Sequence, residues 1–154
     1  MDNHGQITLE YLLIFFISII ILSTISLPLI TDAIDNSQDI ATAVEVKSTL
    51  SSISNNINYV YYTGYGTKRV IAVHIPKDMQ LNYRYKNNNH FIYTSIKLSD
   101  NTSKLIEIQM PCKISFNNKA NYQFVSLKNK WYYNTEIKWI TSSTGEKSIN
   151  IYFK

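Results

Sequence analysis

Few residues of this chain have the type and spacing to do chemistry. His74 and His90 fall in β-rich runs with no carboxylate or cysteine at metal-ligand spacing, so structural roles are expected for both and no metal is expected. Cys112, the single cysteine, stands beside Pro111 in an apolar run and reads as a small buried residue rather than a nucleophile. One cysteine also excludes an internal disulfide framework and a Cys-rich zinc site. A glycine-rich phosphate loop, a nucleophile elbow and an HExxH pattern are all absent, so no cofactor is expected and an enzyme is the least favoured class. Asn101-Thr102-Ser103 forms an N-glycosylation sequon in an expected turn. The sharpest question is posed by Glu10. This carboxylate directly precedes a long apolar run, where placement in lipid is costly and calls for a partner.

The run itself must position that carboxylate. No charged residue occurs from Tyr11 to Thr31, and residues 11–30 read YLLIFFISIIILSTISLPLI. At about 1.5 Å per residue such a helix matches a hydrocarbon core of roughly 30 Å, and only a helix satisfies its own backbone groups there. A membrane-spanning helix is therefore expected, with Pro28 placed to kink it near its end. An ordinary cleaved secretory signal fits less well. The start MDNHG has no Lys or Arg, the apolar run is too long, and TDAIDNSQDIATA continues it as helix.

The residues from Gly5 to Ile14, GQITLEYLLI, resemble the class III signal peptides of archaeal type IV pilins. In that family a short polar leader ends in Gly, a membrane peptidase cuts before Gln, and a Glu follows at the fifth mature position. Here Gly5, Gln6, Thr8 and Glu10 fill the pattern, and Ile14 stands for the usual Leu; Asp2, Asn3 and His4 occupy leader positions that are usually basic. The resemblance implies cleavage between Gly5 and Gln6, with the hydrophobic segment kept on the mature protein. It also implies pairing of the new Gln6 α-amine with the Glu10 carboxylate of a neighbouring subunit, which would set subunit register. The partners implied are a prepilin peptidase, membrane lipid before assembly, and other copies or related pilin subunits through the N-terminal helix.

Beyond Pro28 the chain turns amphipathic. Ala43, Val46, Leu50, Ile53, Ile57 and Val60 follow spacings of three and four and make one apolar stripe. One long helix is expected from about Gln6 to Tyr62, broken or bent near Pro28, about 85 Å in length. Its outer half then packs the stripe on the C-terminal half, with a dimeric coiled coil as the competing use. Asp32, Asp35 and Asp39 suit a helix N-terminus if Pro28 restarts the helix, and otherwise form a solvated acidic collar. Gly64-Tyr65-Gly66 then ends the helix.

From there the period becomes two. Strands are expected at 69–75, 80–86, 90–98, 103–110, 122–127, 130–141 and 148–153, separated by turn-like sequences such as Pro76-Lys77-Asp78, Asn87-Asn88-Asn89, Ser99-Asp100-Asn101, Asn117-Asn118-Lys119 and Ser143-Thr144-Gly145. The fold class is thus α+β, a long N-terminal transmembrane and amphipathic helix packed on a C-terminal antiparallel β-sheet or small sandwich, the lollipop layout of type IV pilins. The organisation is a leader at 1–5, a transmembrane or filament-core helix at 6–31, its amphipathic continuation at 32–63 and an extracellular β-rich head at 64–154.

Charge divides along the same line. Residues 1–67 carry a balance of −5 and residues 68–154 one of +9, within a chain that is 45% hydrophobic and 17% charged and so lacks the signature of disorder. The basic head, rich in tyrosine and tryptophan, suits an anionic surface ligand, although strand propensity and scattered lysines account for the same residues. Two functions are weighed: a pilus-like filament subunit serving adhesion, in the cell membrane and then in a surface filament, and a membrane-anchored surface binding protein that never polymerises.

Overall fold

The computed structural model describes residues 3–117, 123–141, 145 and 147–154, residues 3–8 by backbone alone. The expected turn residues Asn118, Lys119, Ser143 and Thr144 and the strand start at Tyr122 lie outside the described residues. The chain divides between Asp39 and Ile40 into two compact units.

Helix α1, Asn3–Thr63, begins in the first unit. Its large apolar side chains from Leu9 to Ile34 are exposed by 44–70%. Polar residues in this stretch satisfy themselves locally. The hydroxyls of Ser18, Thr24 and Thr31 donate to the carbonyls of Ile14, Ile20 and Leu27, four residues back. Hydroxyls bonded in this way are tolerable where no water is available. The helix continues through Pro28 without a break. Pro28 has no N–H to give the Thr24 carbonyl, yet the turns on both sides stay helical. A restart after Pro28 is therefore not what the chain does, and no acidic residue stands in the first turn of α1.

In the second unit the stripe expected along the helix is buried within the chain. Val46, Ile53, Ile57 and Val60 are fully inaccessible, with Ala43 and Leu50 close to it. Gly64, at φ +98°, follows the last helical residue and turns the chain into the strands. Among the described residues eight strands follow: β1 Lys68–Ile75, β2 Met79–Lys86, β3 Asn89–Lys97, β4 Ser103–Met110, β5 Ile114–Phe116, β6 Phe124–Leu127, β7 Lys130–Thr141 and β8 Lys147–Phe153. They form two four-stranded sheets, ordered β1-β7-β8-β5 and β4-β3-β2-β6. Among the described residues the strand pairings are antiparallel except that of β5 with β8. The helical stripe and the inward residues of both sheets make one hydrophobic core, with Phe116, Leu81, Ile92, Ile137 and Ile151 among its inaccessible side chains.

The expectation of an α+β fold holds, and seven expected strands correspond to β1–β4 and β6–β8. Strand β5 was not foreseen. Its three residues are too few to show alternation, and all three are buried.

Two connections pass from one sheet to the other at a single corner. Asp78, in the β1–β2 connection, accepts from the Lys128 ammonium and the Asn129 backbone N–H in the β6–β7 connection, both at 2.7 Å. Further along the helix, the Trp139 indole N–H donates to the Val60 carbonyl at 3.0 Å, and the Thr49 hydroxyl donates to the His74 carbonyl at 2.9 Å. These bonds tie α1 to β7 and β1 through backbone acceptors and fix its register on the sheet.

Candidate functional site

The N-terminal segment is built from α1 alone. The backbone of Gly5 and Gln6 lies within the helix, and Glu10, four residues beyond Gln6, is exposed beside Leu9 and Tyr11. In a helix that spacing puts positions 6 and 10 on one face. Among the described residues there is one helix long and apolar enough to cross a membrane, and none of its most apolar window is buried by the protein.

The head carries the remaining candidates. Asn101 sits exposed at the tip of the β3–β4 connection, at φ +64°. Asp100 accepts from the Thr102 backbone N–H at 2.8 Å and from its hydroxyl at 2.6 Å, which holds the Asp100 carboxyl below its usual range. His74 is exposed and its ring lies 5.3 Å from that of Trp131. His90 meets the Tyr83 hydroxyl at 2.6 Å through Nδ1, and its rings-neighbours are Tyr83 and Tyr85. Burial, with Lys113 nearby, pushes the His90 pKa down; burial likewise raises that of Tyr83. Cys112 is buried, and burial pushes its thiol up to about 12, which removes the thiolate needed for nucleophilic work. His90 and Cys112 thus share Tyr83 as a neighbour, whereas His74 stands against Trp131. Among the described residues no cluster of three His, Cys, Asp or Glu could hold a metal ion.

Glu136 was not singled out by the sequence reading. It is buried on the outward side of β7 and faces the ammonium groups of Lys68, Lys138 and Lys154 at 3.2, 3.3 and 3.4 Å. Its burial pushes the carboxyl pKa up, but hydrogen bonds from Lys68 and Lys138 outweigh this and hold it below the usual value. The signal was present as alternation: Glu136 and Lys138 are two apart, and Lys68 pairs opposite Lys138.

Two open grooves flank the helix in the head. One, of about 320 Å³, is polar and runs between Glu45, Ser48, Ser52 and His74. The other, of about 460 Å³, is more apolar and runs between Ile40, Val44 and Lys47 of α1 and Leu105 of β4.

The arrangement defines an α+β chain whose apolar N-terminal helix is compatible with membrane anchoring. Compared with protein-family models, with curated proteins and with solved structures, the chain matches none of them.

Proposed function

We propose that the chain is a structural subunit of an archaeal type IV pilus-like surface filament, processed by a prepilin peptidase and assembled through its hydrophobic helix. One observation carries the reading. The head completes its own core with residues from Ala43 onward, whereas the apolar side chains from Leu9 to Ile34 stay exposed. At about 25 cal/mol per Å² of apolar surface, such a helix needs lipid or other apolar helices around it. The Gly5-Gln6 junction and Glu10 stand at its start, where the pilin pattern has them.

Processing would cut after Gly5. A scissile bond inside a helix must first unwind, and a glycine near the terminus makes that unwinding cheap, because it favours the helix by about 0.5–1 kcal/mol less than alanine does. The mature amine at Gln6 would then pair with Glu10 of a neighbouring copy in a low-dielectric core, where a carboxylate without a partner is costly. The head, placed outside, would serve adhesion.

The test is intact-mass analysis of protein sheared from the surface of expressing cells. Loss of residues 1–5 is expected, together with a Glu10→Ala variant that is cleaved but missing from the sheared fraction. An intact Met1 overturns processing, and normal incorporation of Glu10→Ala overturns the pairing. Mature protein confined to membrane fractions would instead favour the non-polymerising anchored binding protein.

A further inference from the structure

The apolar groove between α1 and β4 is bounded by aliphatic surface that the head leaves uncovered. Among the described residues of the second unit, four large aliphatic side chains are exposed: Ile40, Val44, Val70 and Leu105. Three of them, all but Val70, line this groove. Ile40 and Val44 are four residues apart and stand on one face of the helix. Leu105 belongs to β4, the outermost strand of its sheet. Buried Ala43 and Ile106 also line the groove. Lys47 and Lys104 add two exposed ammonium groups, and neither has an ion pair among the described residues. Glu107 is the acid at the groove, and its carboxylate is taken by Arg84.

The chain carries the complement of this groove in its first unit. Leu27, Ile30 and Ile34 are exposed and recur at spacings of three and four, which puts them on one face of α1. Asp32 and Asp35, three residues apart, share the neighbouring face, and they too lack an ion pair among the described residues. An aliphatic ridge edged by carboxylates thus matches an aliphatic groove edged by ammonium groups, the pattern by which a groove takes up an amphipathic helix. The ridge cannot fold back onto its own groove, because Ile34 and Ile40 lie six residues apart in one uninterrupted helix. The match is with another copy.

Other occupants fit less well. A small molecule would find no buried polar side chain to orient it, since both lysines are exposed. An anionic lipid would meet Asp32 and Asp35 in the stretch between the charge-free run and the groove, where like charges repel. A second copy brings the complementary ridge with it, in equal number.

We propose that the groove between α1 and β4 receives residues 27–35 of a second copy of this chain, the aliphatic ridge resting on Val44 and Leu105 and the two aspartates facing Lys47 and Lys104. Ridge and groove are different surfaces, so the contact is head-to-tail and repeats from copy to copy. This deepens the filament reading and rests on it for the supply of neighbouring copies.

The test is disulfide trapping between two differently tagged full-length copies expressed in one cell, one carrying Ile30→Cys and the other Leu105→Cys. Membranes and sheared filaments are oxidised with copper phenanthroline and run on non-reducing gels. A dimer bearing both tags is expected, and none from wild-type copies, whose Cys112 is buried. Lys47→Glu with Lys104→Glu on the Leu105→Cys copy should lower its yield about fivefold, the worth of two exposed ion pairs. Asp32→Lys with Asp35→Lys on the Ile30→Cys copy should then restore it. Near-UV circular dichroism of each purified variant in detergent checks folding. Absence of the two-tag dimer overturns the proposal, and so does a loss that reversal of the aspartates leaves unrestored, the result expected of an anionic lipid on the lysines. Two-tag dimers in membranes of cells that make no filaments would overturn the filament reading and spare this contact. Filaments whose copies do not cross-link would do the reverse.

Discussion

Glu136 shows how a single charged residue can be stabilised where few charges are found. Three lysines approach it from β1, β7 and the chain's last residue, and hydrogen bonds from two of them outweigh the cost of burial. A carboxyl whose pKa is lower folded than unfolded contributes stability above its unfolded value. That contribution is lost as pH falls through the ordinary carboxylate value toward the depressed one. Asp78 and Asp100 shift the same way through hydrogen bonds from Lys128 and Thr102, but both are exposed to water and contribute less. The melting temperature should therefore fall from about pH 4.5 downward. In Glu136→Gln it should be lower at pH 7 and show a shallower decline in acid. Melts followed by tryptophan fluorescence in detergent check this; an acid limb as steep as the wild type's would remove Glu136 as its main source.

Element boundaries rest on small residues with left-handed backbone. Asn87 and Asn88, at φ +50° and +61°, join β2 to β3 as a two-residue turn closed by the Lys86–Asn89 pair. Positive φ at both central residues is the geometry whose twist matches antiparallel strands. Asn88 also accepts from the Tyr85 hydroxyl at 2.5 Å. Asn88→Val forces a β-branched residue into this region and should cost about 1–2 kcal/mol. Asn88→Gly exchanges the Tyr85 hydrogen bond for an easier backbone and should stay close to wild type. Urea midpoints decide, and a Val variant as stable as the Gly variant would show that the turn does not govern the hairpin.

For the molecule as a whole, the division between Asp39 and Ile40 separates surface that needs an apolar environment from surface that supplies its own core. Deleting residues 1–39 removes the exposed apolar run but no member of the core cluster, which begins at Ala43. The remaining chain should stay dispersed without detergent and keep the near-UV circular dichroism of the full protein in the Trp139 region. Precipitation, or loss of that signal, would mean that the head depends on the apolar segment for its folding.

Much of this was determined by sequence alone. Residues 11–30 demanded a helix surrounded by apolar material, because no other structure satisfies a backbone that carries so few polar side chains. The stripe from Ala43 to Val60 announced its buried face through spacing, and all six residues are buried. Strands β4 and β7 have the bounds that alternation indicated. Tertiary structure alone decided where local patterns carry no information. Alternation of burial fails at Thr135-Glu136-Ile137 and from Ser148 to Ile151: Glu136 is screened on the outward side by Lys68, Lys138 and Lys154, and Asn150 is buried where the Ser115 hydroxyl bonds its side chain. The use of the stripe within the chain rather than between chains, the parallel β5–β8 pair, and the rows that bring Phe124, Asn82, Tyr93 and Glu107 side by side all depend on contacts between distant residues. Periodicity tells a residue which side to face, and strand order tells it what it will find there.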